Sequence, residues 1–95
     1  MSEARLRFSA AHPAFAGHFP GSPMVPGALL LAAALDALAL ARADLEIVSA
    51  KFLHPVVPET DVQVRCIAGA ARASRLELRA AGRLVATAVL REARA

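Results

Sequence analysis

Tryptophan and tyrosine are absent from this 95-residue chain, and four phenylalanines supply all of its aromatic surface. Base stacking on single-stranded nucleic acid needs such rings, so no nucleic-acid binding is expected despite a net charge of +3. Basic runs are missing too: the C-terminal arginines are scattered as Arg72, Arg75, Arg79, Arg83, Arg91 and Arg94, and Lys51 is the sole lysine. The single cysteine, Cys66, excludes an internal disulfide and fits a reducing cytoplasm. His12, His18, His54 and Cys66 show no zinc-type spacing, and neither a metal nor a cofactor is expected. No apolar run reaches the ~18 to 20 residues of a membrane span, because Asp36 interrupts the longest and Arg42 closes it. The start, Met1-Ser2-Glu3-Ala4-Arg5, is polar and shows no secretory signal. Repeats, low-complexity linkers and breaks in composition are absent as well. One domain over residues 1–95 is the expectation, near the small end of what a single core stabilises.

What the chain does have is concentrated between Gly17 and Gly27. The run Gly17-His18-Phe19-Pro20-Gly21-Ser22-Pro23-Met24-Val25-Pro26-Gly27 packs three prolines, three glycines and a histidine into eleven positions. Proline lacks a donor and fixes its own φ, so this density predicts a stiff loop rather than regular structure. An apolar segment, Ala28 to Ala41, follows without a breaker and reads as a long helix launched at Pro26-Gly27, buried on most faces. The first N–H groups of a helix have no intrahelical partner and carry the positive end of its dipole. His18 is thus a titratable ring on a rigid loop near groups able to polarise a carbonyl oxygen. That arrangement suits proton transfer beside an oxyanion hole. A structural turn carrying an incidental histidine is the other reading of the same residues.

Strand-like alternation fills most of the rest. Arg5 to Phe8 reads as a short strand, and Glu46 to Leu53 as another, bounded by Pro55 and Pro58. Asp61 to Ala68 sets Val62, Val64 and Cys66 against Asp61, Gln63 and Arg65. Ser74 to Ala80 alternates likewise, and Ala81-Gly82 connects it tightly to Arg83 to Leu90. These period-two patterns with one buried face predict an antiparallel meander, and with one helix an α+β class.

The motif His-Phe-Pro-Gly-x-Pro-x-x-Pro-Gly, running from His18 to Gly27 ahead of an apolar helix, resembles the active-site segment of the hotdog-fold 3-hydroxyacyl-ACP dehydratases. Pro13-Ala14-Phe15-Ala16-Gly17 resembles that family's lead-in, and Lys51-Phe52-Leu53-His54-Pro55-Val56-Val57-Pro58 its second block. The resemblance implies an α+β hotdog, an antiparallel sheet wrapped around one long central helix. It also implies an acyl thioester on an acyl carrier protein or coenzyme A as ligand, in fatty-acid or polyketide-type synthesis. A homodimer, or a heterodimer with another hotdog protein, is implied as well. His18 corresponds to the base that removes the C2 proton, and Gly27 to the residue whose N–H receives the thioester carbonyl. Phe19 and Pro26 lie beside them as substrate-binding positions, and Phe15, Phe19 and Phe52 are candidates for lining an acyl tunnel.

One departure stands against these matches. The family carries a catalytic Glu or Asp six positions after the proline of its final Pro-Gly, and here that position is Ala32. The only helix acid is Asp36, four residues on, which shares a helix face with Ala32 but lies about 6 Å further along the axis. Asp36 is the candidate second catalytic group. Two alternatives remain: a non-catalytic subunit of a heteromeric dehydratase, or a thioesterase whose carboxylate would be Asp36.

Overall fold

The computed structural model describes residues 2–11, 24–40 and 44–92. Among the described residues five strands and one helix occur, in the order β1 (Ser2–Leu6), α1 (Gly27–Ala37), β2 (Leu45–Phe52), β3 (Val62–Ala68), β4 (Ala73–Ala80) and β5 (Arg83–Glu92). All five strands form one antiparallel sheet in the order β1-β3-β4-β5-β2. The expected meander is β3-β4-β5, with β1 added to one side and β2 to the other. Each strand lies within a few residues of its place in the sequence pattern.

Alternation decides which face of the sheet is buried. Val62, Val64, Leu76, Leu78, Ala86, Ala88 and Leu90 point to the helix side and are buried, together with Leu30, Leu31 and Ala34 of α1. The registers align them in rows: Val64 faces Leu78, which faces Ala86, and the same row ends at Phe52 on β2. Small residues at Ala86 and Ala88 leave room on that side of the sheet. The opposite face carries Glu3, Arg65, Glu77, Thr87 and Lys51 in one row, with Arg65 paired to Glu3 at 2.9 Å. The β4–β5 turn has positive φ at both Ala81 (51°) and Gly82 (77°), the geometry of a two-residue hairpin turn that follows the strand twist.

The helix differs from its expectation in length and cover. It is not a long central helix: α1 has eleven residues and stops at Ala37, four short of the predicted end. Leu38 caps it, and Ala39 turns left-handed at φ 58°. The Ala39 N–H donates to the Asp36 carbonyl at 3.0 Å and the Leu40 N–H to the Leu35 carbonyl at 2.7 Å. These two bonds make a Schellman motif, which satisfies the last carbonyls and reverses the chain. An alanine holds the left-handed position normally taken by glycine, so no breaker marks the stop in the sequence. Nor is the helix covered all round: Ala28, Ala32 and Asp36, spaced four apart, form an exposed face.

Candidate functional site

Pro26 sits at the N-cap of α1, with φ −58° and ψ 141°, and offers no side-chain cap. Gly27 is the first helical residue. The first intrahelical bond runs from the Leu30 N–H to the Pro26 carbonyl at 3.0 Å, so the N–H groups of Gly27, Ala28 and Leu29 have no partner within the helix. No acidic side chain lies in the first turn to neutralise the dipole there. The segment is held in place by its neighbour: the Val25 N–H donates to the Val56 carbonyl at 2.7 Å. This bond ties the helix start to the connection between β2 and β3.

An apolar cleft of about 500 Å³ opens at this helix start. Its walls include Met24, Gly27, Leu30, Phe52, Leu53 and Val56. His54 lines the same cleft, its N–H donating to the Val85 carbonyl at 3.3 Å, and it is exposed. Of the sequence-predicted site residues, Gly27 lines the cleft, and Pro26 precedes it at the N-cap of α1. His18 and Phe19 lie outside the described residues, as do His12 and Phe15. Asp36 is exposed at the other end of α1, on the face it shares with Ala32. Among the described residues no three His, Cys, Asp or Glu side chains cluster as a metal site, and no helix is long and apolar enough to cross a membrane.

The approach to Gly27 holds a finding that the sequence did not disclose. A Cβ placed on Gly27 would lie 2.8 Å from Cζ of Phe52 and 3.0 Å from each Cε. Real side chains essentially never come so close, so any side chain here would have to displace the half-exposed Phe52 ring. The signal was the strand pattern: Phe52 faces Ala86 at the end of β2, and that row points toward the helix. His54 has no zinc-type spacing and no other signal of a role in the sequence; only the β2–β3 connection brings it beside the helix start.

A second concavity, of about 470 Å³, lies on the opposite face of the sheet among Glu3, Arg5, Gln63, Arg65, Glu77 and Arg79. Its arginines are largely matched by their own neighbours: Arg65 pairs with Glu3, and Arg79 with Glu77 at 3.5 Å. It offers no apolar wall comparable to the cleft at Gly27.

The profile described as ApeI-like, ApeI dehydratase, matches residues 1–88. The chain belongs to the ApeI-like dehydratase family. It is therefore a member of a hotdog dehydratase family, as the loop motif suggested. It is 39% identical to the 3-hydroxyacyl-[acyl-carrier-protein] dehydratase FabZ of Bartonella bacilliformis, over 55% of this chain and 42% of that protein. The match thus spans less than half of that relative. The fold is shared with the dehydratase heterocomplex ApeI:P from Xenorhabdus doucetiae, at a TM-score of 0.72 and 19% identity, covering 98% of this chain and 88% of that one. An uncharacterized protein from Erwinia carotovora subsp. atroseptica has the same fold at a TM-score of 0.74 and 18% identity, covering 94% and 79%.

Proposed function

We propose that this ApeI-like protein dehydrates 3-hydroxyacyl thioesters to 2-enoyl thioesters, releasing water. The observation that carries the reading is the family match over residues 1–88, which includes the whole His18–Gly27 motif. The cleft at the start of α1 supports it, because its apolar walls suit an acyl chain and its first N–H groups, which have no partner within the helix, suit a thioester oxygen. In this mechanism the carbonyl accepts a hydrogen bond from the Gly27 N–H, and His18 takes a proton from C2. Electron density moves onto the oxygen, the C2–C3 double bond forms, and the C3 hydroxyl leaves as water with a proton from an acid. An α-proton is too weakly acidic to leave unless that oxygen is stabilised, and one such donor is typically worth ~3 to 4 kcal/mol. The carrier of the thioester is an acyl carrier protein, by analogy with the substrate named for the Bartonella relative.

Asp36 is the acid this chain itself can provide, and Ala32 motivates a second reading. In that reading the chain works with another hotdog protomer that completes the site, as the heterocomplex of the Xenorhabdus relative suggests. The exposed strand β2 and the uncovered helix face Ala28–Ala32–Asp36 are where a second protomer would meet this one. Hydration of 2-enoyl thioesters, followed by loss of the conjugated enoyl absorbance, tests both readings. Activity in the purified chain that His18→Ala removes supports the enzyme. Activity that arises only on mixing with a second hotdog protein supports the subunit. Robust turnover indifferent to His18→Ala overturns the site.

A further inference from the structure

We propose that the His54 imidazole binds the 3-hydroxyl of the acyl group, so that the cleft prefers 3-hydroxyacyl thioesters to the same thioesters without the hydroxyl. The inference rests on the thioester reading above and adds to it the side chain that tells the two ligands apart. Among the described residues lining the cleft, His54 has the one polar side chain. The others, between Met24 and Leu30 and between Phe52 and Val56, are apolar or glycine. A hydroxyl brought between apolar walls gives up its water, and leaving it without a hydrogen bond is unfavourable. Ligand pockets of this kind hold a few placed polar groups that fix orientation, and this one holds His54.

Position brings the residue close to where the thioester would bind. Two residues before it, Phe52 has its ring tip against Gly27. Two residues after it, the Val56 carbonyl accepts the Val25 N–H at 2.7 Å. His54 is thus bracketed by two contacts with the start of α1, each within about 7 Å of extended chain. Its N–H donates to the Val85 carbonyl at 3.3 Å, which ties the backbone to β5. The side chain is exposed and bonds no described residue, so it is available to a ligand. An imidazole carries nitrogens that donate and accept, as a hydroxyl does. The helix supplies no competing group: Ala32 has no polar side-chain atom, and Asp36 lies nine residues beyond Gly27, about 13.5 Å along the axis. C3 is only two bonds from the thioester carbonyl carbon, so a carbonyl held at the Gly27 N–H keeps the 3-hydroxyl near the helix start.

The test is calorimetric and compares butyryl with 3-hydroxybutyryl pantetheine thioester. Both are titrated into the full chain carrying His18→Ala, which blocks turnover, with and without a second change at His54. With His54 present, the hydroxylated thioester should bind about fivefold more tightly, the scale of one net hydrogen bond. His54→Leu should abolish that preference by weakening the hydroxylated thioester alone. His54→Gln keeps a donor and an acceptor and should retain part of it. Circular dichroism checks that each variant is folded, and His54→Phe takes the place of His54→Leu should that variant unfold. An unchanged preference in the folded apolar variant, or no preference with His54 present, overturns the role of His54 and leaves the dehydratase reading intact. A chain that binds neither thioester, whether His18 is present or replaced, overturns that reading, and the role of His54 with it.

Discussion

Glu59 and Ala10 are joined by a 2.8 Å hydrogen bond across 49 residues of chain, the carboxylate accepting the Ala10 N–H. The Glu59 N–H in turn donates to the Phe8 carbonyl at 2.7 Å. Arg7 adds its Nε to the same carboxylate at 3.2 Å and its Nη1 to Asp61 at 3.1 Å. Glu59 makes these contacts from a left-handed backbone, with φ 63°. The glutamate accepts backbone strain and supplies a carboxylate that pins residues 7–10 to the β2–β3 connection.

That clasp predicts an acid-sensitive stability. The Ala10 N–H, then Arg7, hold the Glu59 carboxyl below its ordinary value of 4.5. A lowered folded value means the stabilisation is complete above the unfolded value and is lost as pH falls through the folded one. Thermal midpoints should therefore drop on acidification below about 4.5, and Glu59→Gln should flatten that drop. An acid slope unchanged in Glu59→Gln would show that other carboxylates carry it. The group is half exposed, so high salt should also weaken the effect.

Ala39 is predicted to be a site of easy stabilisation. Its left-handed φ of 58° costs an L-residue ~1 to 2 kcal/mol, while glycine avoids that cost at some loss of unfolded-state restriction. Ala39→Gly should raise unfolding stability by about 0.5–1 kcal/mol, read from urea midpoints at constant m. Ala39→Pro, which cannot adopt positive φ, should instead unravel the end of α1.

Ala32 and Asp36 separate an intact acid from a displaced one. Both are exposed on one helix face, so Ala32→Glu adds a carboxylate without entering a packed core and should change stability by no more than ~0.5 kcal/mol. If Asp36 serves as the acid, Asp36→Asn should lower hydration by ~10²- to 10⁴-fold. If the chain lacks a working acid, Asp36→Asn should leave the rate unchanged and Ala32→Glu should raise it.

Strand β2 is predicted to be an assembly surface. Seven of its eight residues are exposed, including Ile47, Val48 and Phe52, and among the described residues its outer side has no strand neighbour. Light scattering at micromolar concentration should report a dimer, and Ile47→Lys with Val48→Lys should shift it to monomer. A wild-type protein that stays monomeric and active would overturn this.

Periodicity and the loop motif made much of the protein legible before its structure. Val62, Val64, Leu76 and Leu78 alternate with polar and charged residues, and that alternation marks strand and buried face, because side chains on a strand point to opposite sides in turn. The helix start at Pro26-Gly27 was legible from the prolines and glycines around it, which restrict the backbone locally, and the family from the likeness of the His18–Gly27 motif. The length of α1 was not: Ala39 stops the helix by a left-handed turn that glycine would have announced and alanine conceals. The clasp of Glu59 on Ala10 and the ring of Phe52 over Gly27 were not legible either. Each joins residues far apart in the chain, and their contact exists only after the sheet order β1-β3-β4-β5-β2 has brought the strand ends to the helix. Local geometry is written in neighbouring residues, whereas the approach of one strand end to a helix start depends on how every element between them packs.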